Sequence, residues 1–360
     1  MTVVLAIGTK KGLWLATGTD GRAGWEVTGP HHPMNDVYAV GFDTRRAAPR
    51  LLAGITSEHY GPSVAFSDDL GGTWQEPDHA PIAFPEDTGA ALARVWQFAP
   101  GPVSTPDVVY AGVEPSAVFR SEDGGGTYEL VRGLWDHPHR EQWGPGFGGQ
   151  AVHSIVPHPT DEARVTVAMS TGGVYATTDG GRTWRARNVG IQAYRSPDPY
   201  PEFGQCVHKI AQHPDQPERF FAQNHHGVYR SDDGAQTWQS IADGLPADFG
   251  FPMVVHPHRP DVIYNFPLTA DAMRFAPGGR CAVYRSEDAG KSWDALTSGL
   301  PEGFWCGVLR DAMCVDTDHP AGVYFGTRSG TVYASRDEGE NWRPVVEGLP
   351  DVLCVRAVVV

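Results

Sequence analysis

The run "SDDGAQTW" at residues 231–238 packs an acidic pair, a small residue, a hydroxyl and a tryptophan into eight positions. Read alone, Asp232 and Asp233 look like a carboxylate pair for acid–base chemistry. The run returns, however, as "SDDLGGTW" (67–74), "SEDGGGTY" (121–128), "TTDGGRTW" (177–184), "SEDAGKSW" (286–293) and "SRDEGENW" (335–342). Its third-position aspartates, Asp69, Asp123, Asp179, Asp233, Asp288 and Asp337, lie 54, 56, 54, 55 and 49 residues apart. An eroded copy, "TGTDGRAGW" (17–25), follows "GLWLA". Recurrence at a steady period marks a structural unit stacked along the chain. A single active site has no use for six equivalent copies.

Each copy reads as a tight turn between two strands. The Asp carboxylate accepts backbone N–H groups and the Thr or Ser hydroxyl across the turn. Gly supplies a positive φ, and Trp is a large anchor between neighbouring units. The pattern S-x-D-x-G-x-T-W resembles the Asp-box, or BNR repeat, of sialidases and sortilin-like propellers, and the resemblance spans nearly the whole chain. The stretches "VEPSAVFRSEDGG", "DPYPEFGQCVHK", "QNHHGVYRS" and "PAGVYFGTRSG" are similar to bacterial single-propeller proteins often labelled glycosyl hydrolase or exo-sialidase. That resemblance implies a β-propeller and, less directly, a carbohydrate-like ligand.

Composition agrees with many short strands. The 360 residues include 43 Gly, 30 Pro and 11 Trp, with only 20% charged residues. A net charge of −15 argues against a protein that tracks nucleic-acid phosphates. No run of about 18 apolar residues predicts a membrane span, and the start "MTVVLAIGTKKGLWLATG" lacks a signal-peptide pattern. Five cysteines, an odd number without C-x-x-C spacing, fit reduced thiols and a cytoplasmic location.

Aligning the copies gives an all-β, four-stranded blade. In one of them "VHKIAQ" (207–212) is the inner strand, followed by "RFFAQN", "GVYRS" and "WQSI". The last inner strand, "VRAVVV" (355–360), has no blade after it, while the N-terminus begins at a second strand. The two ends are therefore expected to complete one blade and close a single-domain, seven-bladed ring over residues 1–360.

This alignment sorts the histidines. His158, His213, His258 and His319 fall in turns between first and second strands, usually beside Pro, and are expected to be turn residues. The second residues of the inner strands, Tyr38, Trp96, His153, His208, Pro252, Met313 and Arg356, form an expected ring at the opposite, ligand-binding face. Lys209, Arg94 and Asp311 stand next to it, and the turns at His59, Glu114 and Asn224–His226 face the same funnel. Three insertions, 136–150, 191–205 and 265–280, add Trp143, Tyr194, Tyr200, Glu202, Asp271 and Arg274.

Two enzymatic readings and one binding reading follow. Glycoside hydrolysis needs two carboxyl groups across the scissile bond, for which Glu114 and Glu202 are the candidates. His153, His208 and Lys209 are the other candidate catalytic groups. Arg94, Trp96, Trp143, Tyr200, Asn224, Arg274, Arg310 and Arg356 are candidate contacts to a polar small molecule or carbohydrate. A sialidase would carry Arg-Ile-Pro, but "VFRSED" and "AYRSPD" depart from it directly after Arg. In the second reading His59, His153, His208 and His225 hold a divalent metal ion that assists hydrolysis or elimination. The third is a ligand-binding or assembly propeller without catalysis.

Overall fold

The computed structural model describes residues 1–77, 79–145, 149–193 and 196–360. Seven sheets follow one another along the chain, six of four strands and one of three. We number the blades by their inner strands: Asp36–Asp43, Arg94–Pro100, Val152–Pro157, Val207–His213, Phe249–Val255, Met313–Val315 and Val352–Val359. Blade 1 is the three-stranded sheet, its outer strand reduced to a bridge between Phe66 and Gln75.

The ring closes as expected. Val352–Val359 runs antiparallel to Val3–Thr9, which pairs in turn with Gly12–Thr19 and then Gly24–His31. Chain ends thus share blade 7, so neither sheet edge at the junction is left open. The core lies between adjacent sheets. Between blades 3 and 4, for example, Ala168 and Val174 meet Val207, Ile210, Phe220 and Trp238. Flat β-branched and aromatic side chains suit such sheet-on-sheet contacts.

The box turns share one hydrogen-bond scheme. In blade 4 the Asp233 carboxylate accepts the Thr237 N–H at 2.9 Å, the Thr237 hydroxyl at 2.6 Å and the Ser231 hydroxyl at 2.8 Å. The Ser231 oxygen accepts the N–H of Ala235 at 3.0 Å. Two consecutive residues after the Asp take positive φ, here Gly234 at 73° and Ala235 at 65°. Glycine occupies the second position in the other five boxes; Ala235 bears a methyl where backbone strain disfavours one. The indoles tie blades together, Trp238 donating to Arg187 O and Trp293 to Ile241 O, both at 2.8 Å. Asp232, the other half of the apparent pair, lies outside this scheme and binds Arg219 and Arg230.

The turn histidines are used locally. His213 accepts the Asp215 N–H at 3.1 Å and faces Pro257 O at 3.0 Å, while His258 stacks on His319 at 3.9 Å.

Candidate functional site

A β-bulge recurs at the second residue of the inner strands and sets the wall of the funnel. The register slips by one between Val37 and Ala39, Val95 and Gln97, Val152 and Ser154, and Val207 and Lys209. The residue left unpaired in each case is Tyr38, Trp96, His153 or His208. A bulge turns the extra side chain away from the sheet, here into the ring's mouth.

Blades 5 to 7 depart from the sequence alignment. Ile210 pairs Ala222, Met253 pairs Asn265 and Met313 pairs Phe325, which makes these three equivalent. Two residues upstream stand His208, Phe251 and Asp311. In blade 7 the slip falls between Val352 and Cys354, at Leu353. The ring therefore carries Phe251, Asp311 and Leu353 where Pro252, Met313 and Arg356 were expected. Bulges and shorter strands shift the count, and spacing from the boxes does not carry through them.

Below the mouth a buried ion triad crosses the ring. Asp311 accepts Lys209 Nζ from blade 4 and Arg356 from blade 7, with Arg356 also donating to the Asp311 carbonyl at 3.0 Å. Lys209 and Asp311 are only 9% and 5% exposed. Burial alone would raise the Asp311 carboxyl pKa, but Arg356 and Lys209 beside it hold it below its usual value. Lys209 and Arg356, expected as a catalytic group and a ligand contact, have their charges committed to this triad. It pins three blades across the channel.

Above the triad lies a cavity of about 270 Å³ lined by Lys10, Arg94, Arg274, Arg310, Arg328 and Asp311, with Tyr38, Trp96 and Leu353. Five cations gathered on an acidic protein are a strong local field. Three have acids: Lys10 with Asp36 at 2.7 Å, Arg328 with Asp351 at 2.6 Å, and Arg94 with Glu114 at 3.6 Å. Arg274 donates Nε to the Asp271 carbonyl at 3.0 Å. Arg310 differs. Its guanidinium lies 5.2 Å from the Trp96 ring and 5.1 Å from Phe251. Its Nε is buried with no hydrogen bond, and among the described residues no ion pair reaches it. Burial pulls its pKa down from the usual guanidinium value.

His153 is the neighbouring orphan. It is 1% exposed beside Trp96, and neither ring nitrogen has a partner. Burial, with nearby Arg310, holds it well below the ordinary histidine pKa, so it is neutral. Glu114 accepts the Trp96 indole N–H at 3.1 Å and braces that ring against the cavity.

At the blade 4 side of the funnel, Cys206, His208 and His225 bring one donor atom each within 4.8 Å of one another. These three are able to hold a metal ion. His208 and His225 belong to the expected metal set, whereas His59 is exposed in its own turn and His153 lies outside this group. Cys206 was missed. The signal is Cys-Val-His at 206–208, two ligand types two residues apart at a strand start, a spacing outside the familiar C-x-x-C pattern.

The remaining expected residues are placed elsewhere or otherwise employed. Trp143 is buried in the core of blade 3, donating to the Tyr175 hydroxyl at 3.1 Å. Asn224 spends its amide on Gln192 O and His226 O. Tyr200 is 60% exposed, and Glu202 is also exposed. No contact joins Glu202 to Glu114 among the described residues, so the carboxylate pair for glycoside hydrolysis is not assembled by any observed interaction. Tyr194 lies outside the described residues.

No protein-family model matches the chain, and no curated protein does. Solved structures do. An ancestral GH74 enzyme aligns over 86% of this chain at 17% identity and a TM-score of 0.58, although this chain covers only 38% of it. YCF48 from Cyanidioschyzon merolae aligns over 87% of this chain and 86% of its own, at 13% identity and a TM-score of 0.56. YCF48 bound to D1 peptide gives 86% and 82%, at 14% identity and 0.50. What is shared is the fold. A GH74 enzyme and YCF48, the latter also solved with D1 peptide bound, match about equally well, and a shared fold does not fix a shared chemistry. Among the described residues no helix is long and apolar enough to cross a membrane.

Proposed function

We propose that the funnel receives a small polar molecule carrying one compact anionic group, such as a monosaccharide acid, with that group seated on Arg310. The observation that carries this reading is the Arg310 guanidinium, sunk beside Trp96 and Phe251 without an acid of its own. Arg310 is half-buried and lines the cavity, so a bound carboxylate would meet a guanidinium that no acid among the described residues already pairs. Arg94 and Arg274 flank the same cavity. Trp96 and Tyr38 line the same cavity, and Arg310 and Arg94 lie over their rings, which orients those guanidinium groups. Planar, bidentate pairing favours a carboxylate over a diffuse anion.

An enzymatic role extends this reading. A cation on a carboxylate makes the adjacent C–H more acidic, which suits elimination. His153 packs beside Trp96, behind the cavity wall rather than in it. Glu114, held against Trp96 and Arg94, is the nearby carboxylate for hydrolysis.

Calorimetric titration with glucuronate and with glucose separates these ideas. Glucuronate is expected to bind, with affinity falling as salt rises, and Arg310→Met should weaken it at least ~10-fold. Equal binding of glucose, or indifference to Arg310→Met, would overturn the anion reading. Binding without turnover of glucuronide substrates would leave a ligand-binding propeller in place of an enzyme.

A further inference from the structure

The geometry points to a second, separate centre: we infer that Cys206, His208 and His225 bind one zinc-class divalent cation at the start of blade 4. Three features carry this. The first is the donor set. A thiolate with two imidazoles selects zinc or a similar borderline cation and disfavours magnesium and calcium, which take oxygen ligands.

The second is spacing. A tetrahedral zinc with Zn–S of about 2.3 Å and Zn–N of about 2.0 Å needs donor separations of roughly 3.3–3.6 Å. The three donors already lie within 4.8 Å, so closure around an ion needs side-chain shifts of about 1 Å. The backbone under them is fixed, because the His225 N–H donates to the Cys206 carbonyl at 2.8 Å.

The third is the support behind the ligands. His208 places Nδ1 at 2.6 Å from the Gly250 carbonyl, so Nδ1 carries the proton and Nε2 is the bare nitrogen. A ligating histidine characteristically donates its other N–H to a carbonyl or carboxylate in this way, which fixes both tautomer and ring orientation. Asp271 stands 3.4 Å from Nε2 of His225 and supplies a carboxylate beside the second imidazole. Phe249 and Phe251 pack edgewise and obliquely on His208, limiting its rotation.

Three protein ligands leave a fourth position of the ion for water or substrate, the arrangement of catalytic rather than structural zinc. The metal site stands without the anion proposal.

Cobalt(II) is the probe. The full chain, stripped with chelator and titrated with Co²⁺, should bind one equivalent and develop a near-ultraviolet thiolate-to-cobalt charge-transfer band with intense visible bands of a four-coordinate ion. Cys206→Ser should abolish the near-ultraviolet band, and His208→Gln should weaken binding at least ~10-fold. His59→Ala should leave both spectrum and affinity unchanged. Melting curves of each variant establish that the fold is kept. Absence of the band in the folded wild type, or its persistence in folded Cys206→Ser, would overturn the assignment.

Discussion

The two faces of the ring treat charge in opposite ways. On the box face each aspartate is saturated: Asp233 accepts three hydrogen bonds within its own turn, and Asp69, Asp123, Asp179, Asp288 and Asp337 repeat the scheme. At the funnel, His153 is buried with both ring nitrogens unpaired, and half-buried Arg310 has an inaccessible Nε with no hydrogen bond. Saturated groups at equivalent places in six blades hold turns. Unpaired buried polar atoms also occur elsewhere, at the Tyr128 hydroxyl and Trp342 Nε1 of two boxes for instance. It is therefore the charge of Arg310 and the two bare nitrogens of His153, beside one cavity, that imply a missing partner. Partner satisfaction is thus a better guide to function than residue type. By type alone the six aspartates are the more tempting catalysts.

The sharpest break of this contrast is at Asp311, a charged funnel residue that is saturated. If partner satisfaction separates structure from function, Asp311 belongs with the box aspartates in purpose. Asp311→Ala would leave Lys209 and Arg356 facing each other, buried and unpaired. Removal of one member of a buried ion network costs about 3–5 kcal/mol, and urea unfolding should show a loss of that order. A loss below ~1 kcal/mol would mean that the triad is solvated and that the funnel extends through it.

Smaller effects are expected on the box face, where each turn is exposed and shared among six. Asp233→Ala should cost about 1–2 kcal/mol, a few net hydrogen bonds partly replaced by water. The same bonds predict an acid response. Slight burial would raise the Asp288 pKa, but the Ser292 hydroxyl and N–H and the Ser286 hydroxyl overcome it and hold the carboxyl at about 2. An unfolded aspartate titrates near 3.9. With the folded value depressed, the stabilisation is complete above about pH 4 and is lost as pH falls towards 2. Asp69, Asp123, Asp233 and Asp337 shift in the same direction. Melting temperature should therefore fall steeply between pH 4 and 2, and Asp288→Asn should make that fall shallower. An unchanged slope would show that these turns titrate alike in folded and unfolded chains.

The box residues were legible in the sequence because a turn is local: its donors and acceptors lie within seven positions of one another. Ring closure was legible because the terminal strands are incomplete without each other. The funnel was only partly so. Arg94, Trp96, His153 and His208 could be assigned to it from their strand positions. Asp311 could be placed beside them, and Arg310 was a candidate ligand contact by residue type alone. Phe251 and Leu353 could not be assigned, since a bulge inserts a residue without a sequence mark and each miscount moves the side chain to another level. The Lys209–Asp311 pair joins residues 102 apart in sequence, across a blade that lies between them. Lys10 and Arg328 entered the cavity wall from turns with no repeat signature.

The smallest expected change on stability is also the one that tests the contrast most directly. Arg310→Met keeps an unbranched stem to pack against Trp96 and Phe251 but removes the charge. Were Arg310 a structural residue, its loss would cost what Asp311 costs, several kcal/mol. A half-buried guanidinium without an acid contributes no ion pair to the folded state. Its partial desolvation offsets the small gain from lying over Trp96 and Phe251. The unliganded variant should therefore be as stable as the wild type to within about 1 kcal/mol, or slightly more stable. The two should separate only when glucuronate is present, which stabilises the wild type by mass action and not the variant. That separation would mark Arg310 as a charge the fold tolerates at a cost and a ligand makes favourable.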